Sequence, residues 1–279
     1  MVITEHDKRR ALAEYDEAGF TVFRDVIDRD LIGEASDHVA WLQEQHPDLG
    51  GEELGHTLLA HDPFWVRLIS DPRLLDIAET FIGPDIALFA SHYISKPPFT
   101  GKPVFWHQDG VYWPLEPMKV VTLWLSVDES NTDNGCLRVV PGSHKMDFKM
   151  HVENLREANV LGSEIAVDVD EKDAYDIVLH PGDVDVHHPN IIHGSDANTS
   201  PNRRCGLTIR YIPTSTKILG DEQPFASALH LQGDRGVNVY KEFPTFWPGK
   251  DFPFEGREEW MGGERRSPRI VAASVKHSQ

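Results

Sequence analysis

Cysteine is scarce in this chain: Cys136 and Cys205 are the only two among 279 residues. Two thiols cannot build a disulfide framework for a chain of this size, and no Cys-x-x-Cys occurs. Both are expected as small buried side chains. No apolar run approaches the roughly 20 residues of a membrane-spanning helix. The first ten residues, Met1 to Arg10, lack the apolar core of a signal peptide, so the cytoplasm is the expected compartment. Asn198-Thr199-Ser200 matches a glycosylation acceptor, but without a secretory signal the match has no mechanism behind it. Basic residues are also in deficit, 27 Lys and Arg against 45 Asp and Glu, for a net charge of −18. A nucleic-acid surface needs cations to neutralise phosphates, so the charge argues against that class of partner. The acidic excess is simplest as solubility charge spread over the surface, and it does not identify a substrate.

There is no internal repeat and no low-complexity linker, so residues 1–279 are expected as one domain. Helical spacing dominates the first 85 residues. Leu12, Tyr15 and Ala18 share a helix face that Gly19 terminates, and a short strand follows to Ile27. Asp28 can cap a helix with Leu31, Ala35, Val39 and Leu42 on one stripe. Asp71-Pro72 opens another, which Gly83-Pro84 ends. From about Ile86 the period becomes two: Val121, Leu123, Leu125 and Val127 alternate with Thr122, Trp124 and Ser126. Gly135, Pro141-Gly142 and Pro181-Gly182-Asp183 punctuate further short strands, including 184–188 and 205–211. Many short strands after a helical start predict a mostly β fold with flanking helices, a double-stranded β-helix (cupin-like jelly-roll) core over about 86–215. The stretch from about 216 to 279 reads as a loop-rich or helical C-terminal region.

The chemistry concentrates in Trp106-His107-Gln108-Asp109. On a strand, His107 and Asp109 project to one face, as two ligands of one metal must. The third ligand must come from elsewhere, and His180, His187, His188 and His193 are the candidates. Two imidazoles and one carboxylate on one face of iron(II) leave three positions open, which suits oxygen chemistry and not a closed structural site.

Several ordered pieces together resemble the phytanoyl-CoA dioxygenase family of iron(II)/2-oxoglutarate oxygenases. They are Lys96-Pro97-Pro98-x-x-Gly101-Lys102, Trp106-His107-Gln108-Asp109, Trp124, Asn134-Gly135-Cys136-Leu137, Pro141-Gly142-Ser143-His144-Lys145, Pro181-Gly182-Asp183, and His193-Gly194-Ser195-x-x-Asn198-x-Ser200-x-x-x-Arg204. The resemblance runs from about Ser91 to Tyr211. It implies that His107, Asp109 and His193 hold the iron and that His187 and His188 do not. It places Arg204 on the distal carboxylate of 2-oxoglutarate, with Ser195 as a hydroxyl donor to the same group. Gln108, Trp124 and His92 are implied to line the co-substrate. A guanidinium fork suits that carboxylate, and on a strand Arg204 shares its face with Gly206 and Thr208, which leaves it room. Arg203 would face the other way.

The implied reaction consumes 2-oxoglutarate and O2, releases succinate and CO2, and hydroxylates an unactivated C–H bond of a small metabolite. Desaturation, epoxidation and ring closure are variants of the same chemistry. Halogenases of the family replace the ligating carboxylate with a small residue, and Asp109 disfavours that outcome. Phe105, Tyr112, Trp113 and Trp65 are candidate walls of the substrate pocket, with ordinary barrel core as the competing account. An acyl-CoA would want a basic surface for its phosphates, yet beyond Arg203-Arg204 the adjacent basic residues are only Lys8-Arg9-Arg10 and Arg265-Arg266. A natural-product intermediate, amino acid derivative or phosphonate is therefore expected over an acyl-CoA. Two rivals compete: a cupin-type metal enzyme without 2-oxoglutarate would not need Arg204 and Ser195 at that spacing, and a non-catalytic binding protein would not need all three ligands.

Overall fold

The computed structural model describes residues 3–147, 151–153, 163–165, 169–220 and 228–262. Five helices lead the chain, and four of them begin where a short polar side chain accepts from the first free backbone N–H groups; α3, after Gly55, has no such cap. In α1 (Glu5–Ala18), Thr4 and Asp7 form a reciprocal capping box, and Gly19 ends the helix at φ 86°. Asp28 caps α2 (Arg29–Gln45) by accepting from the Leu31 N–H. After α3 (His56–Leu59), Asp62 opens α4 (Pro63–Ile69) and Asp71 opens α5 (Pro72–Ile82), each followed by a proline in the first turn. Sequence periodicity misses α3 and α4, because four and seven residues are too few to display a stripe.

The strands are β1 (Phe20–Phe23), β2 (Ile86–Lys96), β3 (Val104–His107), β4 (Leu115–Glu116), β5 (Val121–Ser126), β6 (Leu137–Val139), β7 (His151–Glu153), β8 (Ser163–Ile165), β9 (Tyr175–Ile177), β10 (Val184–His187), β11 (His193–Ser195), β12 (Arg204–Pro213), β13 (Lys217–Ile218) and β14 (Leu229–Gln232). A six-stranded sheet runs β1-β10-β5-β12-β2-β14 and a four-stranded sheet β3-β11-β6-β9; the pairings within them are antiparallel. This is the expected jelly-roll core with helices outside. Its limits differ from 86–215. The edge strand β1 comes from the N-terminal part and the opposite edge, β14, from the C-terminal stretch expected as loop or helix. Both cover backbone edges that β10 and β2 would otherwise leave unpaired. Arg265, Arg266 and the rest of the chain beyond 262 lie outside the described residues.

Alternation gives the large sheet two distinct faces. Val121, Leu123, Leu125, Leu207, Ile209 and Tyr211 pack in one core with α2, α4 and α5. Trp65 belongs to that core: its indole N–H donates to Ser91 Oγ at 3.1 Å and its ring lies 4.6 Å from Tyr93. It is wholly buried under the helices, which corrects the expectation that it walls the substrate pocket. The opposite face carries Trp124, which packs with Leu137, Val139 and Ile177 of the four-stranded sheet. His92, Thr208, Arg204 and Arg210 share that inner face by register, so the space between the sheets is polar.

Candidate active site

Antiparallel pairing of β11 with β3 sets His193 directly opposite His107, although 86 residues separate them (193 − 107). Their rings lie 4.0 Å apart between centroids. In each, Nδ1 faces the carbonyl two residues earlier, Phe105 O at 2.8 Å for His107 and Ile191 O at 3.0 Å for His193. A carbonyl only accepts, so the proton sits on Nδ1 and Nε2 is left as a bare donor atom toward the sheet interior. Asp109 follows β3 in a 3-10 turn, Asp109–Tyr112, and brings Oδ1 to 3.4 Å from His107 Nε2 and 4.0 Å from His193 Nε2.

These three donor atoms lie within 4.8 Å of one another, among buried side chains, and they form the metal-competent group found among the described residues. Two imidazole nitrogens and a carboxylate oxygen fit a divalent first-row ion such as iron(II). Protonation suits the task as well. Burial, and next the neighbouring His107, push the His193 ring well below its ordinary range, so it stays neutral. Burial alone would raise the Asp109 carboxyl; the Arg210 guanidinium first, and then its histidine neighbours, hold it well below the usual carboxylate range.

Two buried basic side chains without an ion-paired carboxylate among the described residues lie beyond Ser195, which is on β11. Arg204 Nε and Nη2 both donate to Gly135 O, at 2.9 and 2.6 Å, and its guanidinium lies 5.3 Å from the Trp124 ring centroid. The Nε/Nη2 edge is therefore engaged with backbone and Nη1 also reaches Ile94 O at 3.4 Å, which leaves one N–H on each of Nη1 and Nη2 for a carboxylate. Gly135 makes this possible: it adopts φ 76°, and a Cβ there would sit 2.3 Å from Asp196 O. Gly206 gives Trp124 its place, since a Cβ would fall 2.0 Å from the indole. The second, Lys96 at the end of β2, donates to Ser195 Oγ at 2.7 Å and to Asp196 O at 2.5 Å. Ser195 accepts from Lys96, so its own hydroxyl proton is free to donate. Burial, then the adjacent Arg204 charge, lowers the Lys96 ammonium to about 6; burial lowers Arg204 to about 10.

The remaining sequence candidates divide. Gln108 is fully buried and its amide donates to Asn190 O at 2.7 Å. His92 faces Thr208 Oγ1 at 3.1 Å and Arg210 Nη1 at 2.9 Å. Trp113 is buried with Phe89 and Leu115, with the Arg210 guanidinium 5.0 Å from its ring centroid. Tyr112 is 42% exposed at the end of the metal turn, and Phe105 is half-buried on β3. Among the other histidines, His180 is exposed and paired with Glu129. His187 is buried, bound to Asp185 at 2.6 Å, with its ring 5.0 Å from that of His193. Arg203 does face away, onto Asp128 and Ser36. Asn198 is buried with its amide on the carbonyls of Lys96 and Asn202, which closes the glycosylation match. Both cysteines are buried, and burial raises their thiols, Cys136 to about 11 and Cys205 to about 12. Sequence reasoning misses Lys96 as a side chain of the site, and it misses Arg210. The signal for Arg210 was present: the alternation Arg204, Gly206, Thr208 reaches it two residues further on.

Comparison with known proteins agrees with this geometry. The model of the phytanoyl-CoA dioxygenase family matches residues 15–206, from within α1 to the start of β12. Ectoine dioxygenase of Sphingopyxis alaskensis is 26% identical over 251 residues, covering 77% of this chain and 78% of that protein. Peroxisomal phytanoyl-CoA dioxygenase of Bos taurus is 33% identical over 152 residues, 52% of this chain, which spans only 45% of that relative's length. The solved apo structure of a non-haem monooxygenase, ThoJ, superposes with a TM-score of 0.72 at 22% identity, covering 96% of this chain and 99% of that one, and so shares the fold. The matched segment contains His107, Asp109, His193 and Arg204, and the chain belongs to the phytanoyl-CoA dioxygenase family of iron- and 2-oxoglutarate-dependent dioxygenases.

Proposed function

We propose that this protein hydroxylates an unactivated C–H bond of a small metabolite, with His107, Asp109 and His193 as the iron ligands. One oxygen atom of O2 enters the C–H bond and the other enters succinate, as 2-oxoglutarate loses CO2. Iron(II), when bound with the 2-oxo acid, supplies the oxygen activation that no side chain provides. The residues' own tasks are binding and orientation. Nε2 of each histidine and Oδ1 of Asp109 form one face of donors. Arg204 and Ser195 take the distal carboxylate of 2-oxoglutarate, with Lys96 behind Ser195 and Trp124 beneath the guanidinium. Gln108 and His92 complete the wall of that pocket, and Phe105, Tyr112 and Trp113 border the substrate side.

The observation that carries this reading is a buried His/Asp/His triad beside the buried Arg204 guanidinium, which lacks an ion-paired carboxylate among the described residues, with the Lys96 amine next to it. Uncompensated buried charge is costly, so an anionic co-substrate is the natural counterpart. We read residues 1–279 as one catalytic domain, supported by the single core that joins helices and large sheet. A small metabolite is favoured over an acyl-CoA because two of the three basic residues of the Lys8 to Arg10 cluster on α1 are engaged, Lys8 with Glu5 and Arg10 with Glu14 and the Val22 carbonyl.

Anaerobic addition of iron(II) and then 2-oxoglutarate tests this directly, by the weak visible metal-to-ligand charge-transfer band. The band should form in the wild type and vanish in His193→Ala. Loss of a charge-assisted pair should weaken 2-oxoglutarate about 10- to 100-fold in Arg204→Ala. Iron bound by the wild type with no band on 2-oxoglutarate would move the assignment to a cupin-type enzyme that uses no 2-oxo acid.

A further inference from the structure

Arg210 lies in the site but outside the segment matched by the family model, which ends at residue 206. It is buried on the inner face of β12, paired in register with Ala90 of β2 and Thr122 of β5. Its Nη2 and Nε donate to Asp109 Oδ2 at 3.1 and 3.4 Å. Nη1 donates to His92 Nδ1 at 2.9 Å and to Thr208 Oγ1 at 3.1 Å. The guanidinium plane is backed by the Trp113 ring, 5.0 Å away. The two Asp109 oxygens thus have separate partners: Oδ1 turns to the two Nε2 atoms and Oδ2 to Arg210.

We infer that Arg210 is a positioning residue that holds Asp109 as a one-oxygen metal ligand. A carboxylate free to rotate can chelate a metal through both oxygens. The second oxygen would then occupy one of the three positions that a 2-oxo acid and O2 require. Tying Oδ2 to a guanidinium anchored in a second sheet prevents that rotation. The hydrogen-bond count favours this role over substrate anchoring, because four of the five guanidinium N–H groups already have acceptors in Asp109, His92 and Thr208. The same contacts set the His92 tautomer: Nδ1 accepts from Arg210, so Nε2 carries the proton. The inference rests on the proposed metal triad.

Cobalt(II) binding to the full-length protein separates the two ideas without any turnover. Wild type, Arg210→Met and Arg210→Lys are titrated with cobalt(II) alone, recording affinity, the visible d–d spectrum and the X-ray absorption of the metal. Arg210→Met should bind cobalt(II) about 10- to 100-fold more weakly, as loss of an outer partner of a ligand does, with a spectrum showing a two-oxygen carboxylate. Arg210→Lys keeps the charge without the fork, so it should lose less affinity yet show the altered spectrum. In an Asp109→Ala background, Arg210→Met should have no further effect. Wild-type affinity and spectrum in both Arg210 variants would overturn the positioning role, and the Lys variant alone decides if the Met variant does not fold. Failure of folded wild type to bind cobalt(II) at all would instead overturn the triad itself.

Discussion

Single residues in this site are set by what they cannot do. In neutral His107 and His193 the proton sits on Nδ1, which faces a carbonyl, so Nε2 is the free lone-pair atom that could ligate a metal. Lys96 cannot keep its charge cheaply at 1% exposure beside Arg204. Its native value of about 6 lies below the ordinary 10.5, so between these pH values the unfolded chain holds a proton that the native chain lacks. Stability therefore rises with pH across that window, by up to about 1.4 kcal/mol per unit from this group. Below about 6 both states are protonated and the gain is gone. Urea midpoints between pH 6.5 and 9 should show the rise in wild type and its loss in Lys96→Met. An anion beside Lys96 restores the ammonium, so 2-oxoglutarate binding near pH 8 should take up a proton in wild type and none in the variant. Calorimetry in buffers of different ionisation enthalpy measures that uptake.

Elements translate such residues into placement, and two glycines show opposite limits. Gly206 on β12 lies against the Trp124 indole, where a Cβ would come within 2.0 Å. Gly206→Ala must displace that ring, at about 1–3 kcal/mol of overpacking, and with it the support under Arg204. Melting temperature and 2-oxoglutarate affinity should fall together. Gly33, in the middle of α2 and exposed, has nothing within 4 Å of its missing Cβ. Gly33→Ala should stabilise by about 0.5–1 kcal/mol through helix propensity, with 2-oxoglutarate affinity unchanged. Elements of this length were legible in sequence where their chemistry is local. Asp28, Asp71, Gly19 and Gly83 mark helix ends by capping, and Val121 to Val127 mark β5 by alternation. Where an element is too short to repeat its period the signal disappears: α3 and α4 show no stripe, although Asp62-Pro63 repeats the Asp71-Pro72 opening. The edge role of β14 was equally hidden, since four residues show no face until β2 lies beside them.

At the scale of the molecule, the site is divided between two sheets. The four-stranded sheet brings His107 and His193, with Asp109 just after β3; the six-stranded sheet brings His92, Trp124, Arg204 and Arg210. Lys96, at the end of β2, reaches across to Ser195 on β11. A metal and its co-substrate therefore span both layers and should stabilise the whole fold. At free cobalt(II) about 100 times its dissociation constant, the gain should be about 2.7 kcal/mol. For a chain of this size that is a rise of about 5 °C in melting temperature, absent in His193→Ala. Sequence alone marked the His107-x-Asp109 pair and the alternation of core and site faces, because ligand type, spacing and period are local properties of the chain; His193 and Arg204 were implied by the family resemblance. Only the tertiary structure decided that His193 stands opposite His107, that Trp65 is helix-covered core, that Lys96 backs Ser195 and that Arg210 closes on Asp109. Those four depend on register and on which face meets which sheet, and pairing energy over tens of residues leaves no trace in the identity of any one of them.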